Sequence, residues 1–441
     1  MRVAFYTLGC KLNQAETESL VGQFSRLGFQ IVHPNDTADI CIANTCTVTH
    51  IADRKSRHWL RLARRRNPQA LIIATGCYAQ RSRQELVPLT DLVVDNKGKE
   101  HLLKIVTDLS LPAPSSVLEM TPSCHSERSE AISPTVDIVR TRSLIKIQDG
   151  CHGPCTYCIV PKVRPREYSL PASQIIDEIK QKVTLGYREI VLTGTKVGSY
   201  EGPGPSVSEG PPFSLRDLVQ HILDNTGIER LRLSSLQPSE VSSELLALWQ
   251  DERLCPHLHL ALQSGSDSVL QRMKRSYSLD QYQKTMNLIR EKIPDAALTT
   301  DIMVGFPGES NLEFEQSYSF CQQAGFANIH VFPFSPRPET TAARMSEQIK
   351  DEVKQQRNQR MLELSRSSQH RFWQQFLGQT MPVLWEQETE PGSGIYSGLT
   401  GNYIRVFAHS NKSLINEVTA AGLVEFDVHG MWGEITNENP R

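Results

Sequence analysis

The stretch that decides the fold is LIKIQDGCHGPCTYC, residues 144–158. Its first half alternates apolar and polar residues, as a strand does. Its second half places Cys151, Cys155 and Cys158 in a C-x3-C-x2-C pattern. A short loop directly after a strand can fold three thiolates around one metal cluster. The segment therefore predicts a strand that runs into a cluster-binding loop.

The informative feature of this loop is the missing fourth cysteine. Ferredoxin runs supply a protein ligand for every iron of a 4Fe-4S cluster, whereas the next cysteine here is Cys255. An iron left open can chelate the amino and carboxylate groups of S-adenosylmethionine, whose cleavage by one electron gives a radical. A structural zinc site or three unrelated thiols are the alternatives.

The residues after the loop predict a partial parallel barrel. Six strand candidates, LIKIQ, REIVLTG, RLRLSS, LHLAL, TTDIMVGF and NIHVFPF, are separated by stretches long enough for helices. Chemistry in such a barrel lies at the carboxyl ends of the strands. Residues in the loop and at those ends are candidates for cofactor contact, with a turn or cap role as the alternative. They are Tyr157, Thr193, Gly194, Ser234, Gln263 and Asp301.

The first part of the chain, residues 1–109, repeats a β-α pattern that predicts a doubly wound parallel sheet. Cys10, Cys46 and Cys77 each fall one to three residues past the end of a predicted strand. Because the carboxyl ends of parallel strands share one edge, these three cysteines can bind a second cluster that again leaves one iron open. Cys41, Cys255 and Cys321 are interpreted as packing residues.

Two further segments complete the predicted organisation. Residues 110–136 are rich in Ser, Pro and Glu without a period, which predicts a flexible linker with Cys124 as a bystander. The barrel domain is predicted to span 137–368. Period-2 patterning then predicts a small OB-like β-barrel over 369–438.

One helix favours contact with nucleic acid. Residues 54–66, RKSRHWLRLARRR, carry seven basic residues and no acid, whereas a solvated helix face usually carries both signs. Phosphate contact is therefore expected for five arginines, which are Arg54, Arg57, Arg61, Arg64 and Arg65. Basic residues near the barrel mouth extend this hypothesis, namely Lys162, Arg164, Arg166, Arg272, Lys274 and Arg275. The terminal β domain contributes Arg405 among aromatic residues, namely Tyr396, Tyr403, Phe407 and His409.

Composition excludes several classes of protein. Lys and Arg number 47 against 49 Asp and Glu, a net charge of -2, so any affinity for nucleic acid requires a local patch. No apolar run reaches the ~18 residues of a membrane span, and no signal peptide is recognisable at the start. The prediction is a cytoplasmic protein without a membrane partner, whose cysteines are not expected to form a disulfide framework.

The CHGPCTYC motif, with GCKLN, TC and GC upstream and RMKRSY downstream, resembles the radical S-adenosylmethionine methylthiotransferases. The resemblance covers nearly the whole chain, with an N-terminal methylthiotransferase domain, a radical barrel and a TRAM domain. It implies one 4Fe-4S cluster on Cys151, Cys155 and Cys158 and an auxiliary one on Cys10, Cys46 and Cys77. It further implies two molecules of S-adenosylmethionine per turnover and an electron donor of flavodoxin or ferredoxin type.

Within that family, TLGCKLNQAETES, residues 7–19, is most similar to members that modify N6-threonylcarbamoyladenosine 37 in the tRNA anticodon stem-loop. The implied reaction adds a methylthio group to C2 of that base. Two alternatives stay open. Relatives that modify isopentenyladenosine 37 have a motif like YGCQMN at this point, and relatives that modify an aspartate of a ribosomal protein have one like LGCPKN.

Overall fold

The computed structural model describes residues 1–110, 141–204 and 212–436. These residues form two compact units, 1–110 and 141–436. The predicted linker over 110–136, with Cys124, lies outside the described residues except for Ser110, which ends a helix. Among the helices of the described ranges, none is both long and apolar enough to cross a bilayer.

The first unit alternates short strands with helices, as predicted. Its strands are β1 (Arg2–Thr7), β2 (Gln30–Val32), β3 (Ile40–Thr45), β4 (Leu71–Gly76) and β5 (Leu92–Val93). Its helices are α1 (Lys11–Arg26), α2 (His50–Arg66), α3 (Cys77–Arg81), α4 (Arg83–Leu86) and α5 (Leu102–Ser110). The strands form one parallel sheet in the order β2-β1-β3-β4-β5.

Both faces of this sheet are covered, which explains why β3 is buried along its whole length. One face packs against α1 and α5 through a core that includes Phe24 and Leu102. The opposite face packs against α2 and α3 through Trp59, Leu60 and Tyr78. A parallel sheet with helices on both sides is the doubly wound architecture that the sequence predicts, and it is confirmed.

The second unit begins with a barrel of β-α repeats. Its strands and hairpins are β6 (Arg142–Lys146), β7 (Gln148–Asp149), β8 (Tyr168–Ser169), β9 (Glu189–Thr193), β10 (Glu201–Gly202), β11 (Phe213–Ser214), β12 (Arg230–Leu233), β13 (His257–His259), β14 (Ala297–Val304) and β15 (Asn328–Pro333). Its helices are α6 (Val160–Val163), α7 (Ala172–Thr184), α8 (Leu215–Asn225), α9 (Ser243–Leu246), α10 (Asp267–Arg272), α11 (Leu279–Lys292), α12 (Asn311–Ala324) and α13 (Asp351–Gln374).

Six of these strands correspond to the six predicted barrel strands. They form two parallel three-stranded sheets, β6-β9-β12 and β13-β14-β15. Single bridges from Leu231 to Leu254 and from Leu236 to Leu260 connect β12 to the β13 segment. Within the described residues β6 and β15 are not paired, so the barrel is open on one side, and the prediction of a partial barrel is confirmed.

The C-terminal strands close into a small barrel. They are β16 (Thr380–Glu388), β17 (Ile395–Thr400), β18 (Arg405–His409), β19 (Val418–Phe426) and β20 (Met431–Ile435), in the order β16-β17-β18-β20-β19. Trp385, Val406 and Leu423 fill its interior. The predicted small β-barrel is confirmed, although the predicted boundary at 368/369 falls inside α13, a continuous helix.

A buried ionic cluster joins this small barrel to the amino ends of the larger barrel's strands. Glu189, at the start of β9, is fully buried and accepts hydrogen bonds from Arg230 Nε at 2.9 Å and Arg232 Nε at 3.0 Å. The same two guanidinium groups donate to carbonyl oxygens of residues 399–401 in the small barrel. The arginines therefore neutralise Glu189 and satisfy the turn after β17 at the same time.

Candidate functional site

The cysteine loop of the second unit follows β6 and β7 at the carboxyl end of the partial barrel. Gly150 lies in the left-handed region with φ +78°, and a Cβ there would be 1.9 Å from the carbonyl oxygen of Arg166. Only glycine fits this close crossing of two chain segments. Arg164 is buried and donates both to Asp149 Oδ1 and to Oδ2, at 2.7 and 2.8 Å. The base of the loop is thus fixed before its first cysteine.

Cys151, Cys155 and Cys158 are all partly accessible and lie close enough to influence one another's charge. Burial, followed by the charges of neighbouring Cys155 and Cys151, raises the pKa of Cys158 to about 12 against lowering by the Val160 backbone N–H. Burial also raises the pKa of Cys151. A bound metal would stabilise the thiolate forms of these two residues.

Hydrogen-bond donors point at two of these sulfurs. The backbone N–H of Gly153 donates to Cys151 Sγ at 3.2 Å, and Arg275 Nη1 donates to Cys155 Sγ at 3.2 Å. Arg275 also reaches Tyr157 OH at 3.4 Å and Tyr277 OH at 3.0 Å. N–H donors to cysteine sulfur are a feature of iron-sulfur sites. The basic run around Arg275 predicts contact with nucleic acid, but the guanidinium lies against the cysteine loop.

Within the described residues, no three His, Cys, Asp or Glu side chains are arranged as they would be around a single metal ion. A four-iron cluster requires a different spacing of its ligands. Each thiolate binds a different iron, so the cysteine sulfurs lie further apart than they would around one ion. Three adjacent thiols with N–H donors and no fourth cysteine in the loop fit such a cluster with one iron left for another ligand.

The predicted cofactor residues lie at the carboxyl ends of neighbouring strands. Thr193 ends β9, and a Cβ on Gly194 would lie 2.8 Å from the carbonyl oxygen of Gln148, so the backbones approach closely. Ser234 follows β12 and is buried. Gln263 has a φ of 73° and donates its N–H to the Asp301 carbonyl oxygen at 2.8 Å. Their contact with a cofactor stays a prediction.

Several polar groups at the carboxyl end of the barrel were not predicted from the sequence. Glu240 follows β12, and its side chain is only 8% exposed. Lys196 Nζ lies 3.7 Å from Glu240 Oε1, an atom with no hydrogen-bond partner among the described residues. Burial raises the pKa of Glu240. Gly198 packs directly on this carboxyl, because a Cβ there would be 2.3 Å from Glu240 Oε2. Gly198, which directly follows VLTGTKV in the sequence, was the one residue that could have indicated this close contact.

His259 was also missed, since it reads as one more residue of a buried strand. Its Nε2 lies 3.3 Å from Asp301 Oδ2, and its Nδ1 shares a hydrogen bond with Thr299 Oγ1 at 3.0 Å. The imidazole of His259 therefore links the Asp301 carboxylate to Thr299.

The three cysteines of the first unit lie past the strand ends, as the sequence predicts. Cys10 is three residues beyond β1, and Cys46 and Cys77 directly follow β3 and β4. Thr45 pairs with Gly76, so Cys46 and Cys77 leave neighbouring strands side by side. In this strand order the connections reverse direction between β1 and β3, and that crevice is where doubly wound folds bind ligands.

Local geometry brings Cys10 to the same edge. Gly9 has a φ of +108°, and a Cβ there would lie 2.9 Å from Cys46 Sγ. Asn13 Nδ2 donates to the carbonyl oxygens of Leu8 and Thr45, at 2.8 and 3.2 Å, and so holds the two loops together. Burial, together with the charges of Cys77 and Cys10, raises the pKa of Cys46 to about 12, against a hydrogen bond donated by the Val48 N–H.

The candidate RNA-contacting arginines fall into two groups. Arg57 donates to Tyr78 OH and pairs with Glu85 at 3.1 Å, and Arg64 pairs with Asp91 at 2.5 Å. Others are exposed, namely Arg54, Arg61 and Arg65. In the second unit Arg405 pairs with Glu386 at 2.6 Å, Arg272 pairs with Glu313, and Arg164 is buried against Asp149. Lys162, Arg166 and Lys274 stay exposed.

The aromatic residues of the small barrel are also divided. Tyr396 belongs to the barrel core, and Tyr403 stacks on His257 with ring centroids 4.6 Å apart, under the Arg232 guanidinium. Phe407 and His409 lie on the outer surface against Trp432, whose ring stacks on His409 at 5.4 Å. The expected aromatic surface is thus smaller than the sequence suggests and includes Trp432, which was not predicted.

Two family models match parts of the chain. Residues 2–95 match the family described as uncharacterized protein family UPF0004, and residues 145–321 match the radical SAM superfamily.

Curated relatives are similar over nearly the full length. The threonylcarbamoyladenosine tRNA methylthiotransferase MtaB of Bacillus subtilis is 34% identical over 96% of this chain and 94% of its own. The protein of the same description from Aquifex aeolicus is 35% identical over 94% and 98%. The tRNA-2-methylthio-N(6)-dimethylallyladenosine synthase of Syntrophotalea carbinolica is 34% identical over 95% and 97%.

Among solved structures, the radical S-adenosylmethionine methyltransferase TsrM from Kitasatospora setae is similar with a TM-score of 0.56. It is 14% identical, and the match covers 78% of this chain and 74% of that one. At this identity the likeness concerns the fold alone.

Proposed function

The chain belongs to the radical S-adenosylmethionine methylthiotransferases of tRNA, and on that premise we propose that it methylthiolates C2 of N6-threonylcarbamoyladenosine at position 37. The observation that carries the proposal is the identity of 34–35% with two relatives described by that activity, over 94–96% of this chain. The three cysteines of each proposed cluster stand at strand ends within that span. The substrate is accordingly tRNA.

The residues that would hold the clusters are Cys151, Cys155 and Cys158 in one unit and Cys10, Cys46 and Cys77 in the other. When bound, such clusters supply electron transfer for cleavage of S-adenosylmethionine at the first site and a place for sulfur at the second. The second cluster, the use of two S-adenosylmethionine molecules per turnover and an electron donor of flavodoxin or ferredoxin type belong to the proposal. Its support is the donor set, three thiols at each site with N–H donors to their sulfurs.

The residues around the cysteine loop have separable tasks in this proposal. Asp149 and Arg164 hold the loop, and Arg275 stabilises negative charge on Cys155. Lys196 and Glu240 put one positive and one negative charge beside the loop, which complements the carboxylate and ammonium of the methionine end of the cofactor. The strand-end residues Thr193, Gly194, Ser234, Gln263 and Asp301, together with Tyr157, are proposed to contact the remainder of the cofactor.

The second candidate is methylthiolation of the dimethylallyl derivative of adenosine, because a relative with that description is also 34% identical. Mass spectrometry of nucleosides from total tRNA, with and without the gene, separates the two. Loss of the methylthio derivative of threonylcarbamoyladenosine alone is the expected result. Loss of only the methylthio derivative of dimethylallyladenosine would show that dimethylallyladenosine is the substrate instead. No change in either refutes both, and the intact mass of the ribosomal protein then tests the remaining alternative.

A further inference from the structure

The outer face of α2 carries a stripe of cations that the fold does not use. Exposed Arg54, His58, Arg61 and Arg65 follow one another at helical spacing, so they lie along one side of the helix. Within the described part of the chain, Arg54, Arg61 and Arg65 form no ion pair. The acid of this helix, Asp53, is buried and bonded to Thr47 and Arg81 away from the stripe.

The internal ion pairs show which arginines serve structure. Arg57 is held by Tyr78 and Glu85. Arg64 donates to Asp91 and to the carbonyl oxygens of Pro68 and Ala70, at 3.2 and 2.9 Å. Such arginines fix α2 against the sheet and have little free charge to offer a ligand. They are therefore excluded from the surface inferred below, although the sequence could not separate them from their neighbours.

A groove lies beside the carboxyl-terminal half of the stripe. It has a volume of about 570 Å³, and its walls are Arg61, Arg64, Arg65 and Pro68 on one side and residues 88–91 on the other. The acid in the groove, Asp91, is already neutralised by Arg64 and accepts the Ile72 N–H at 2.7 Å. The unpaired charge of the groove is therefore positive, from Arg61 and Arg65.

The stripe also has a direction. Helix α2 begins four residues after Cys46, so its amino end is at the edge of the sheet that carries the cysteines. Arg54 lies near that end, and Arg65 is eleven residues further, about 16 Å along the axis at 1.5 Å per residue. A nucleic-acid strand carries one phosphate per about 3.4 Å of helix axis. The stripe is long enough to follow several consecutive phosphates that lead away from the cysteine edge.

We propose that the stripe of Arg54, Arg61 and Arg65, with the groove beside α2, binds the phosphate backbone of the RNA substrate next to the modified base. Arg61 and Arg65 contact phosphates at the groove, and Arg54 contacts one nearer the cysteines. These contacts position the RNA and carry no sequence information, since arginine meets phosphate regardless of the base. The inference rests on the proposed function in taking that RNA to be tRNA.

The test measures binding of tRNA, purified from cells that lack the gene, to the full chain at several KCl concentrations. Arg61→Glu with Arg65→Glu is expected to weaken binding by at least about tenfold and to reduce the slope of log K against log salt by about two. Arg54→Glu alone is expected to reduce that slope by about one. Arg61→Lys with Arg65→Lys keeps the charges and should restore most of the affinity.

The matched control is Arg26→Glu with Lys104→Glu. Both residues are exposed on α1 and α5, which cover the opposite face of the sheet, and the change in net charge is identical. Its affinity should stay within about twofold of the wild type. Equal weakening in control and test variants overturns the proposal, because the effect would then be one of net charge. Unchanged binding of tRNA by Arg61→Glu with Arg65→Glu also overturns the proposal. The proposal is likewise overturned if this double variant binds tRNA normally but loses affinity for an acidic protein.

The binding experiment and the nucleoside measurement distinguish a failure of this inference from a failure of the proposed function. If Arg61→Glu with Arg65→Glu weakens tRNA binding as expected and no methylthio derivative depends on the gene, the proposed function fails and the phosphate surface stands. If the derivative depends on the gene and the double variant binds tRNA normally, the surface fails and the function stands.

Discussion

At the scale of single residues, the cysteine loop shows how one side chain acquires a role that its sequence context hides. Arg275 lies in a basic run, RMKRSY, that suggests an exposed surface. Its guanidinium instead contacts Cys155 Sγ, Tyr157 and Tyr277 and packs on the Tyr277 ring at 4.9 Å. A cation and N–H donor beside a cysteine sulfur stabilises the more negative, reduced state of an iron-sulfur cluster.

Replacement of Arg275→Gln is therefore expected to shift the midpoint potential of the cluster proposed on Cys151, Cys155 and Cys158 to more negative values, with iron content retained. A redox titration of the reconstituted protein, followed by electron paramagnetic resonance, measures this shift. Arg253→Gln is the control, because Arg253 pairs with Asp251 at 2.6 Å and does not touch the loop. The same potential in both variants would contradict a role of Arg275 at the cluster.

At the scale of elements, the junction between β9, β12 and the small barrel depends on one buried carboxylate. Burial alone raises the pKa of Glu189, but Arg232 and Arg230 lower it to about 2. The ordinary value for glutamate is about 4.3. Because the pKa is lower in the folded state, the ionised carboxylate stabilises the fold at any pH above the ordinary pKa of glutamate. That contribution is lost as pH falls from about 4.3 to about 2, and it amounts to roughly 3 kcal/mol.

Glu189→Gln is expected to lower the free energy of unfolding by about 3–5 kcal/mol at pH 7, because two buried arginines lose their counter-charge. The difference from the wild type should narrow as the pH is lowered from 5 to 2, where Glu189 itself becomes protonated. Urea unfolding followed by tryptophan fluorescence at each pH measures both effects. Glu229→Gln, which removes a surface pair with Arg188, should cost at most about 1 kcal/mol. A difference that stays constant with pH would show that Glu189 is not the titrating group.

At the scale of the whole molecule, the chain carries its two cysteine sites on two different sheets, and the second unit has a polarity of its own. The cysteine loop and the predicted cofactor residues lie at the carboxyl ends of the barrel strands, whereas the small barrel packs at their amino ends. The five residues of β9 separate the two ends by roughly 17 Å. An RNA that contacts the small barrel must therefore extend around the larger barrel to reach the cysteine loop.

Two sites with separate ligands predict separable losses of activity. Cys151→Ala with Cys155→Ala should abolish formation of 5'-deoxyadenosine on reduction. Cys10→Ala should retain that product and lose methylthio transfer, because its thiol belongs to the other site. Product analysis by liquid chromatography and mass spectrometry measures both. Cys321→Ala, which changes a buried residue of α12 in the hydrophobic core, should retain both activities. Normal methylthio yield from Cys10→Ala would remove Cys10 from the sulfur-presenting site.

Local sequence patterns predict the β-α alternation of both units, the six barrel strands, the small β-barrel and the position of Cys10, Cys46 and Cys77 beyond strand ends. These follow from local patterns, since side-chain periodicity distinguishes strand from helix and loop residues end each element. The sequence also indicated the basic helix, though not which of its arginines were free.

The pairing of charges is visible only in the folded chain, because ion pairs form between residues that are far apart in the sequence. Arg57 and Arg64 find acids 28 and 27 residues away, and Arg275 meets Cys155 across 120 residues. The contacts of His259 and Glu240 are likewise visible only in the structure, since a buried polar residue cannot be distinguished in the sequence from any other residue of a strand or turn. Electrostatics depends on distance in space, and sequence patterns report distance only along the chain.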